Sequence, residues 1–353
     1  MKRTPIMAFA GEFWAGASGS GLSEGFRDLG WAVQEVDSRD FGARPGKSLA
    51  MRVASRLTRE ISDAACRQSL LDECRMLRPD IFLTIKGAGI TRDLLHRVRE
   101  TGARTVMYYP DFHFDHPGVS TDSFDAYDLF ITTKTFQTAY LEDLLGPDRV
   151  AYVPHGFSDR VHRPVYSGLS EADFQADVVY VGNHSAYKQA WLEGAASLLP
   201  ECSFRIVGNR WQAHVAGSPL ERCALPGARV GVAYAEAIQT SRINVAVHFG
   251  PTASGWQDLV STQTFEIPAC KGFMLHIDNE EVREFFEPGT EIDVFSSPEE
   301  LSDKIRFYLA RPDLRMQMIE RAYERCVPSY GYIARASAIN DILSDRLLTG
   351  RNS

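Results

Sequence analysis

Short apolar runs rich in β-branched and aromatic residues recur along this chain, each followed by a turn and a helical pattern, and the series runs twice. The first run is Pro5–Ala10 (PIMAFA). A glycine-rich turn, GEFWAGASGSG, follows it, and Leu22–Leu29 opens a helix that Gly30 ends. Trp31–Val36 is the next strand, and strand–loop–helix–strand is the building block of a parallel sheet. Met51–Arg78 is helical by apolar spacing and stops at Pro79. Ile81–Ile85, Thr105–Tyr109, Leu129–Thr132 and Val150–Val153 continue the strands, with a helix ending at Glu100. Ser158–Phe174 is polar and irregular and reads as a linker. The pattern then restarts, with strands at Asp177–Val181, Ser203–Val207, Ile243–His248, Phe273–Ile277 and Ile292–Phe295. Helices are expected over Ala190–Leu199 and Pro298–Leu309, the second with acids early and bases late, as the helix dipole favours. The expected fold is α/β, two doubly wound domains in succession, and 353 residues suffice for two cores.

Composition narrows the function classes. Hydrophobic residues make up 44% and charged residues 24% of the chain, an ordinary globular balance. A formal charge of −8 argues against gripping nucleic acid as the main task. Six scattered cysteines without a CxxC pair suit a reducing compartment. The apolar run in MKRTPIMAFAGEFWAG is too short for a signal-peptide core, and no segment approaches a membrane span. A soluble, cytoplasmic protein without a transmembrane segment is the expectation.

Ligands of open α/β sheets bind beyond the carboxyl ends of the strands, so the loops after strands and a cleft between the two domains are the places to look. Four loops stand out. In Gly11–Gly21, the glycines Gly16, Gly19 and Gly21 let backbone approach a ligand ahead of a helix start, although GxGxxG spacing is absent; the competing reading is a flexible connection. In YYPDFHFDHPG, Asp111, His113, Asp115 and His116 follow a strand, and DxHxDH differs by one residue from the HxHxDH zinc signature of metallo-β-lactamase-like hydrolases. An acid stands where that signature begins with histidine, and the parallel βα pattern around it is the wrong context. A polar loop offering a general base or sugar contacts, or a plain loop, are the other readings. In VGNHSAYK, a strand ends at Gly182 and Asn183, and Lys188 follows at a helix start, where a cation suits a diphosphate; a solvated lysine is the alternative. In DLVSTQTFEIPACKGFMLH, Asp258 and Glu266 flank Ser261, Thr262 and Gln263. Carboxylates accept from sugar hydroxyls and turn N–H groups face phosphate, whereas a helix cap explains only the acid near the start. Trp14, Tyr108, Tyr109 and Trp256 either stack on a sugar or flat aglycone or belong to the core.

The stretch STQTFEIPACKGFMLHIDNEEVREFFEPGTEIDVFSSPEELSDKIRFYLARPDLRMQMIERAYERC, with YVPHGFSDRVHRP before it, resembles CgeB-like glycosyltransferases and, more broadly, the second domain of GT-B enzymes related to retaining family-4 glycosyltransferases. The resemblance is specific over Ser261–Ile339, fair over Tyr152–Lys188 and architectural before that. It implies two Rossmann-like domains facing across a cleft: an acceptor-side domain over residues 1–157, a nucleotide-sugar domain over 158–330, and a helix over 331–353 that returns to the first. It also implies that Glu266 holds the donor ribose, Asp258 faces the donor sugar, and Lys188 or Arg210 grips the diphosphate beside Ser261, Thr262, Gln263 and Thr264. The family's first acid is more often Glu than Asp, which weakens the sugar contact assigned to Asp258. The implied reaction moves a sugar from a nucleoside diphosphate to a glycan, lipid-linked, protein or small-molecule acceptor, with retention and with neither metal nor cofactor. An inverting reaction would make Asp111 or His113 the base. Two rivals stand beside it, a metal-dependent hydrolase built on the DxHxDH loop and a non-catalytic nucleotide-sugar-binding protein.

Overall fold

The computed structural model describes residues 3–37, 59–116 and 118–348. Two compact units divide the chain, Met1–Pro154 with Tyr332–Ser353, and His155–Gly331. In the first, β1 (Ile6–Gly11), β2 (Ala32–Asp37), β3 (Ile81–Ile85), β4 (Arg104–Tyr109), β5 (Leu129–Thr132) and β6 (Val150–Tyr152) form a parallel sheet. Its order is β2-β1-β3-β4-β5-β6, so the direction of winding reverses between β1 and β3. Helices α1 (Ser18–Asp28), α2 (Arg59–Leu77), α3 (Arg92–Arg99), α4 (Thr135–Leu145) and the last helix, α11 (Tyr332–Arg346), cover it. Both faces of the inner strands are buried, which is why they read as nearly continuous apolar runs, whereas the edge strand β2 (AVQEVD) is partly exposed. Met7, Phe9, Leu83 and Tyr108 pack toward α1 and α11; Ala8, Phe82, Met107 and Tyr109 pack toward α2 and α3. Tyr108 and Tyr109 are therefore core residues and not stacking platforms, both 0% exposed.

The glycine-rich loop is shorter than expected, because α1 begins at Ser18 and takes in Gly19 and Gly21. The cause is packing. A Cβ on Gly21 would lie 2.5 Å from the Tyr332 ring, one on Gly25 2.6 Å from Ala336 Cβ, and one on Gly19 2.3 Å from the Glu12 carbonyl. Gly21 and Gly25 bring α1 against α11, Gly19 lets the loop before it close on the helix, and Ser18 Oγ meets the Tyr332 hydroxyl at 2.6 Å.

The second unit holds β7 (Ala176–Val181), β8 (Phe204–Val207), β9 (Ala224–Leu225), β10 (Ser241–Ala246), β11 (Met274–Ile277) and β12 (Asp293–Phe295). They form a parallel sheet in the order β12-β11-β10-β7-β8-β9, with its reversal between β7 and β10. Helices α5 (Ala186–Leu198), α6 (Val232–Gln239), α7 (Thr262–Ala269), α8 (Glu280–Phe285), α9 (Pro298–Leu309) and α10 (Pro312–Cys326) flank it. Side chains of Ser185, Ser261, Asn279 and Ser297 cap four of them by accepting backbone N–H groups. A two-residue strand leaves no periodic trace, and β9 was not legible. The stretch Ser158–Phe174 is no linker but a docked part of this unit. Gln239 Oε1 accepts the N–H groups of Val165 and Tyr166 at 2.8 and 2.9 Å, and Glu171 pairs with Arg242 and Arg315 at 2.7 and 2.5 Å. The start of the expected helix, residues 51–58, lies outside the described residues. No described helix is long and apolar enough to cross a membrane.

Alanine at Gly25 opposes two effects. Helix propensity favours it by about 1 kcal/mol, but overpacking against Ala336 and the Tyr332 carbonyl costs about 1–3 kcal/mol. Gly25→Ala is expected to lower the urea midpoint of unfolding; a raised midpoint would show that α1 and α11 are not in close contact.

Candidate functional site

Parallel strands end on one side of their sheet, and where strand order reverses two successive loops splay apart. In the second unit that point lies between β7 and β10. The loop after β7 begins with Gly182 and Asn183, the loop after β8 with Gly208, Asn209 and Arg210, and the loop after β10 with Val247, His248 and Phe249. The first two are stitched together. Trp211 Nε1 donates to the Gly182 carbonyl at 2.7 Å, the Asn209 N–H to Asn183 Oδ1 at 3.1 Å, and the His184 N–H to the Asn209 carbonyl at 3.1 Å. Glycine is required at 208 because a Cβ there would lie 1.9 Å from the Gly182 carbonyl oxygen. Arg210 sits exposed on this loop with φ +71°.

Lys188 occupies the first turn of α5, which begins four residues earlier than the helical pattern suggested. Its side chain is buried, with Nζ donating to the Asn183 carbonyl at 3.4 Å and standing 4.2 Å from the centre of the Phe249 ring. A ring face and a carbonyl both favour a cation. From the other side comes α7. Ser261 Oγ accepts the Gln263 N–H at 3.3 Å and Thr264 Oγ1 accepts the Ser261 N–H at 3.2 Å, a reciprocal cap that fixes the first turn. Gln263 Nε2 donates to the Val181 carbonyl, tying that turn to the end of β7. The buried Tyr180 hydroxyl donates to the Val247 carbonyl at 3.4 Å; burial first, and the Asp258 carboxylate after it, push its pKa up. Asp258 is itself buried and its N–H donates to the Phe249 carbonyl at 3.2 Å. Gly182, Asn183, Lys188, Asp258 and Ser261–Thr264 thus gather around the ends of β7 and β10.

Glu266 lies one turn further along α7, 8% exposed. It has neighbours within the protein. His162 Nδ1 stands 3.8 Å from Glu266 Oε1, and Tyr234 of α6 lies against both, its ring 5.2 Å from that of His162. Burial, with the Glu266 carboxylate second, pushes the Tyr234 pKa up. His162 Nδ1 accepts the Ser158 N–H at 3.0 Å, and burial lowers the pKa of the ring. Both His162 and Ser158 come from the stretch read as a linker, so their role was hidden.

In the first unit, Asp111 pairs with Lys86 at 3.0 Å across the ends of β4 and β3, and His116 Nε2 stands 4.0 Å from Asp111 Oδ2. The Tyr109 hydroxyl donates to the His113 carbonyl, while the side chains of His113 and Asp115 are exposed. Among the described residues no three His, Cys, Asp or Glu side chains converge as a metal-ligand set. The Asp111 partner is a lysine, which competes with a cation for that carboxylate. Lys86 was missed; its backbone adopts φ +63°, and the one hint was its place before Gly87 in TIKGAGI. Gly16 alone of the three marked glycines stays in the loop, with φ +94°. Trp14 is exposed and donates through Nε1 to Glu12 at 3.2 Å; Trp256 is half-buried.

Residues 186–341 match the sequence model of a family described as glycosyl transferase-like. No curated protein sequence matches the chain. Among solved structures, a glycosyltransferase from Rickettsia africae is 12% identical with a TM-score of 0.66, covering 99% of this chain and 100% of its own. Sucrose-phosphate synthase from Thermosynechococcus elongatus is 13% identical with a TM-score of 0.67, covering 97% and 99%. Anabaena HepE in complex with UDP is 12% identical with a TM-score of 0.62, covering 97% and 100%. The fold is that of GT-B glycosyltransferases, two Rossmann-like domains. It is shared more distantly, at a TM-score of 0.53, by a UDP-GlcNAc 2-epimerase from Neisseria meningitidis, so fold by itself does not separate these chemistries.

Alanine at Gly208 would force the Gly182 carbonyl away and open the stitched loops beneath Lys188. Gly208→Ala is expected to destabilise the protein by about 2 kcal/mol or more. Gly217→Ala, at an open position of positive φ, serves as the comparison in the same denaturant titration. Equal costs at the two positions would mean that the loops do not touch.

Proposed function

We propose that this protein is a nucleotide-sugar-dependent glycosyltransferase whose second unit binds a nucleoside-diphosphate donor at the ends of β7 and β10. The observation that carries this reading is the meeting there of the Lys188 ammonium, the Gly182–Asn183 turn and the capped start of α7. The family match over residues 186–341 supports it, as does the similarity in fold to HepE, whose structure is a complex with UDP. The donor's anomeric C–O bond breaks with oxocarbenium character, and negative charge builds on the departing diphosphate. Lys188, Arg210 and the N–H groups of the α7 first turn stabilise that charge, which removes the need for a metal or other cofactor. Glu266 accepts hydrogen bonds from the ribose diol and Asp258 faces the sugar. The acceptor, a glycan, lipid-linked, protein or small molecule, is taken by the strand-end loops of the first unit. Its hydroxyl attacks the anomeric carbon from the face the diphosphate leaves and passes its proton to the departing phosphate oxygen, so that configuration is retained, on the CgeB-like pattern and in the cytoplasm. In an inverting reaction Asp111 or His113 would take the hydroxyl proton.

A thermal-shift panel of UDP, GDP, ADP and TDP tests the donor site, since a ligand bound only by the folded state raises the melting temperature. One diphosphate is expected to stabilise the protein and to do so equally in excess EDTA. Loss of that effect with chelator, restored by zinc, would favour the hydrolase. By calorimetry Glu266→Gln is expected to weaken that diphosphate by about 1.5–3 kcal/mol, the worth of a hydrogen bond to a charged group. Unchanged affinity would remove Glu266 from the ribose. Binding without transfer or donor hydrolysis would leave a non-catalytic sensor, and a changed sugar on an intact nucleotide would mark an epimerase.

A further inference from the structure

Behind the first turn of α7 lie two buried histidines that the reaction above does not use. Register pairs Ala246 of β10 with His276 of β11. Alternation puts Ala246, His248, Met274 and His276 on the sheet face that α7 covers. His248 and His276 are 2% and 0% exposed, and their Nε2 atoms are 2.8 Å apart. Two nitrogens so close need one proton between them. His276 Nδ1 stands 2.6 Å from the Ile277 carbonyl, which only accepts, so Nδ1 carries a hydrogen. Burial pushes the His276 pKa down to about 4, against the pull of the Ile277 carbonyl and Asp278. At neutral pH its Nε2 is therefore a lone pair, and His248 Nε2–H donates to it. Thr264 Oγ1 is 3.0 Å from that nitrogen and 3.4 Å from His248 Nε2 while accepting the Ser261 N–H. One hydroxyl thus belongs both to the cap of α7 and to the histidine pair.

We infer that His248 and His276 are positioning residues. Through Thr264 they hold the Ser261–Gln263 turn in the orientation that receives a nucleoside diphosphate, and they do so while His276 Nε2 carries no hydrogen. The inference rests on the donor site proposed above. A proton added to His276 Nε2 sets N–H against N–H at 2.8 Å, and it places a cation beneath the positive end of α7. Either the pair opens or Thr264 turns away, and the cap loosens. The groups facing His276 are His248 from the loop after β10, Thr264 from α7, Val294 as its register partner on β12, Asn279, which shares the Ile277 carbonyl, and Asp278 just past its own strand. Asp278 is engaged by Arg283 at 2.8 Å.

The test measures affinity for the diphosphate selected by the thermal-shift panel, by calorimetry from pH 7.5 to 3.5, a window that spans the His276 titration, in the full chain. Thr264→Val is expected to weaken binding about tenfold at pH 7.5, the worth of roughly one hydrogen bond, while Thr264→Ser, which keeps the hydroxyl, stays within about threefold. Wild-type affinity is expected to fall below pH 4.5, by about fourfold at pH 3.5, more steeply than that of His276→Gln, the ratio of the two cancelling the titration of the ligand itself. A folded Thr264→Val that binds like wild type, or parallel pH profiles for wild type and His276→Gln, would overturn the positioning role and leave the donor site standing. A wild type that binds none of the four diphosphates would remove the donor site and this inference with it. Should Thr264→Val fail to fold, Thr264→Ser and the two pH profiles decide.

Discussion

Everything that matters in this protein follows from strands that all run the same way. A parallel sheet cannot be closed by hairpins, so each strand returns through a crossover that lays a helix on one face or the other. In each sheet both faces are then covered, which makes the inner strands largely apolar, and the carboxyl ends lie on one side of that sheet. Polar chemistry is confined to the loops on that side. Where the winding reverses, between β1 and β3 and between β7 and β10, neighbouring loops diverge and leave room for a ligand.

Burial of polar groups near the second of these points is the next consequence. An ammonium, two carboxylates and two imidazoles lie within or beside the core of the second unit: Lys188, Asp258, Glu266, His248 and His276. Each would be costly without compensation. Lys188 has a carbonyl and a ring face, Glu266 has His162 and Tyr234 beside it, and the histidine pair satisfies itself through a carbonyl and a threonine. Networks of this kind resist small displacements, because moving one member leaves another unsatisfied. Rigidity at strand ends suits a site that must stabilise charge developing on a departing group, since fixed dipoles need no reorganisation.

The first unit solves a different problem. Its last helix comes from the far end of the chain and packs on α1 through glycines, so backbones approach where side chains would collide. Its strand ends carry a lysine–aspartate pair, Lys86 with Asp111.

Much of this was legible in the sequence. Alternating apolar runs located most strands to within two residues, Pro298–Leu309 appeared as a helix with its bounds intact, and the loops bearing Lys188, Asp111 and Ser261–Glu266 were marked by their place after strands. These are local signals, set by the two-residue and 3.6-residue periods and by turn and cap chemistry. What only the tertiary structure decided is which distant segments meet. Gly21 looks like a loop residue until α11 lies against it, and Gly19 until the Glu12 carbonyl does; Ser158–Phe174 looks like a linker until Gln239, Arg242 and Arg315 hold it. His162 reaches Glu266, Lys86 reaches Asp111, and His248 reaches His276 because strand order and crossovers carry them there. A period reports how a segment coils and which face it buries, but it holds no record of its neighbour, and the polar contacts of the site are contacts between neighbours.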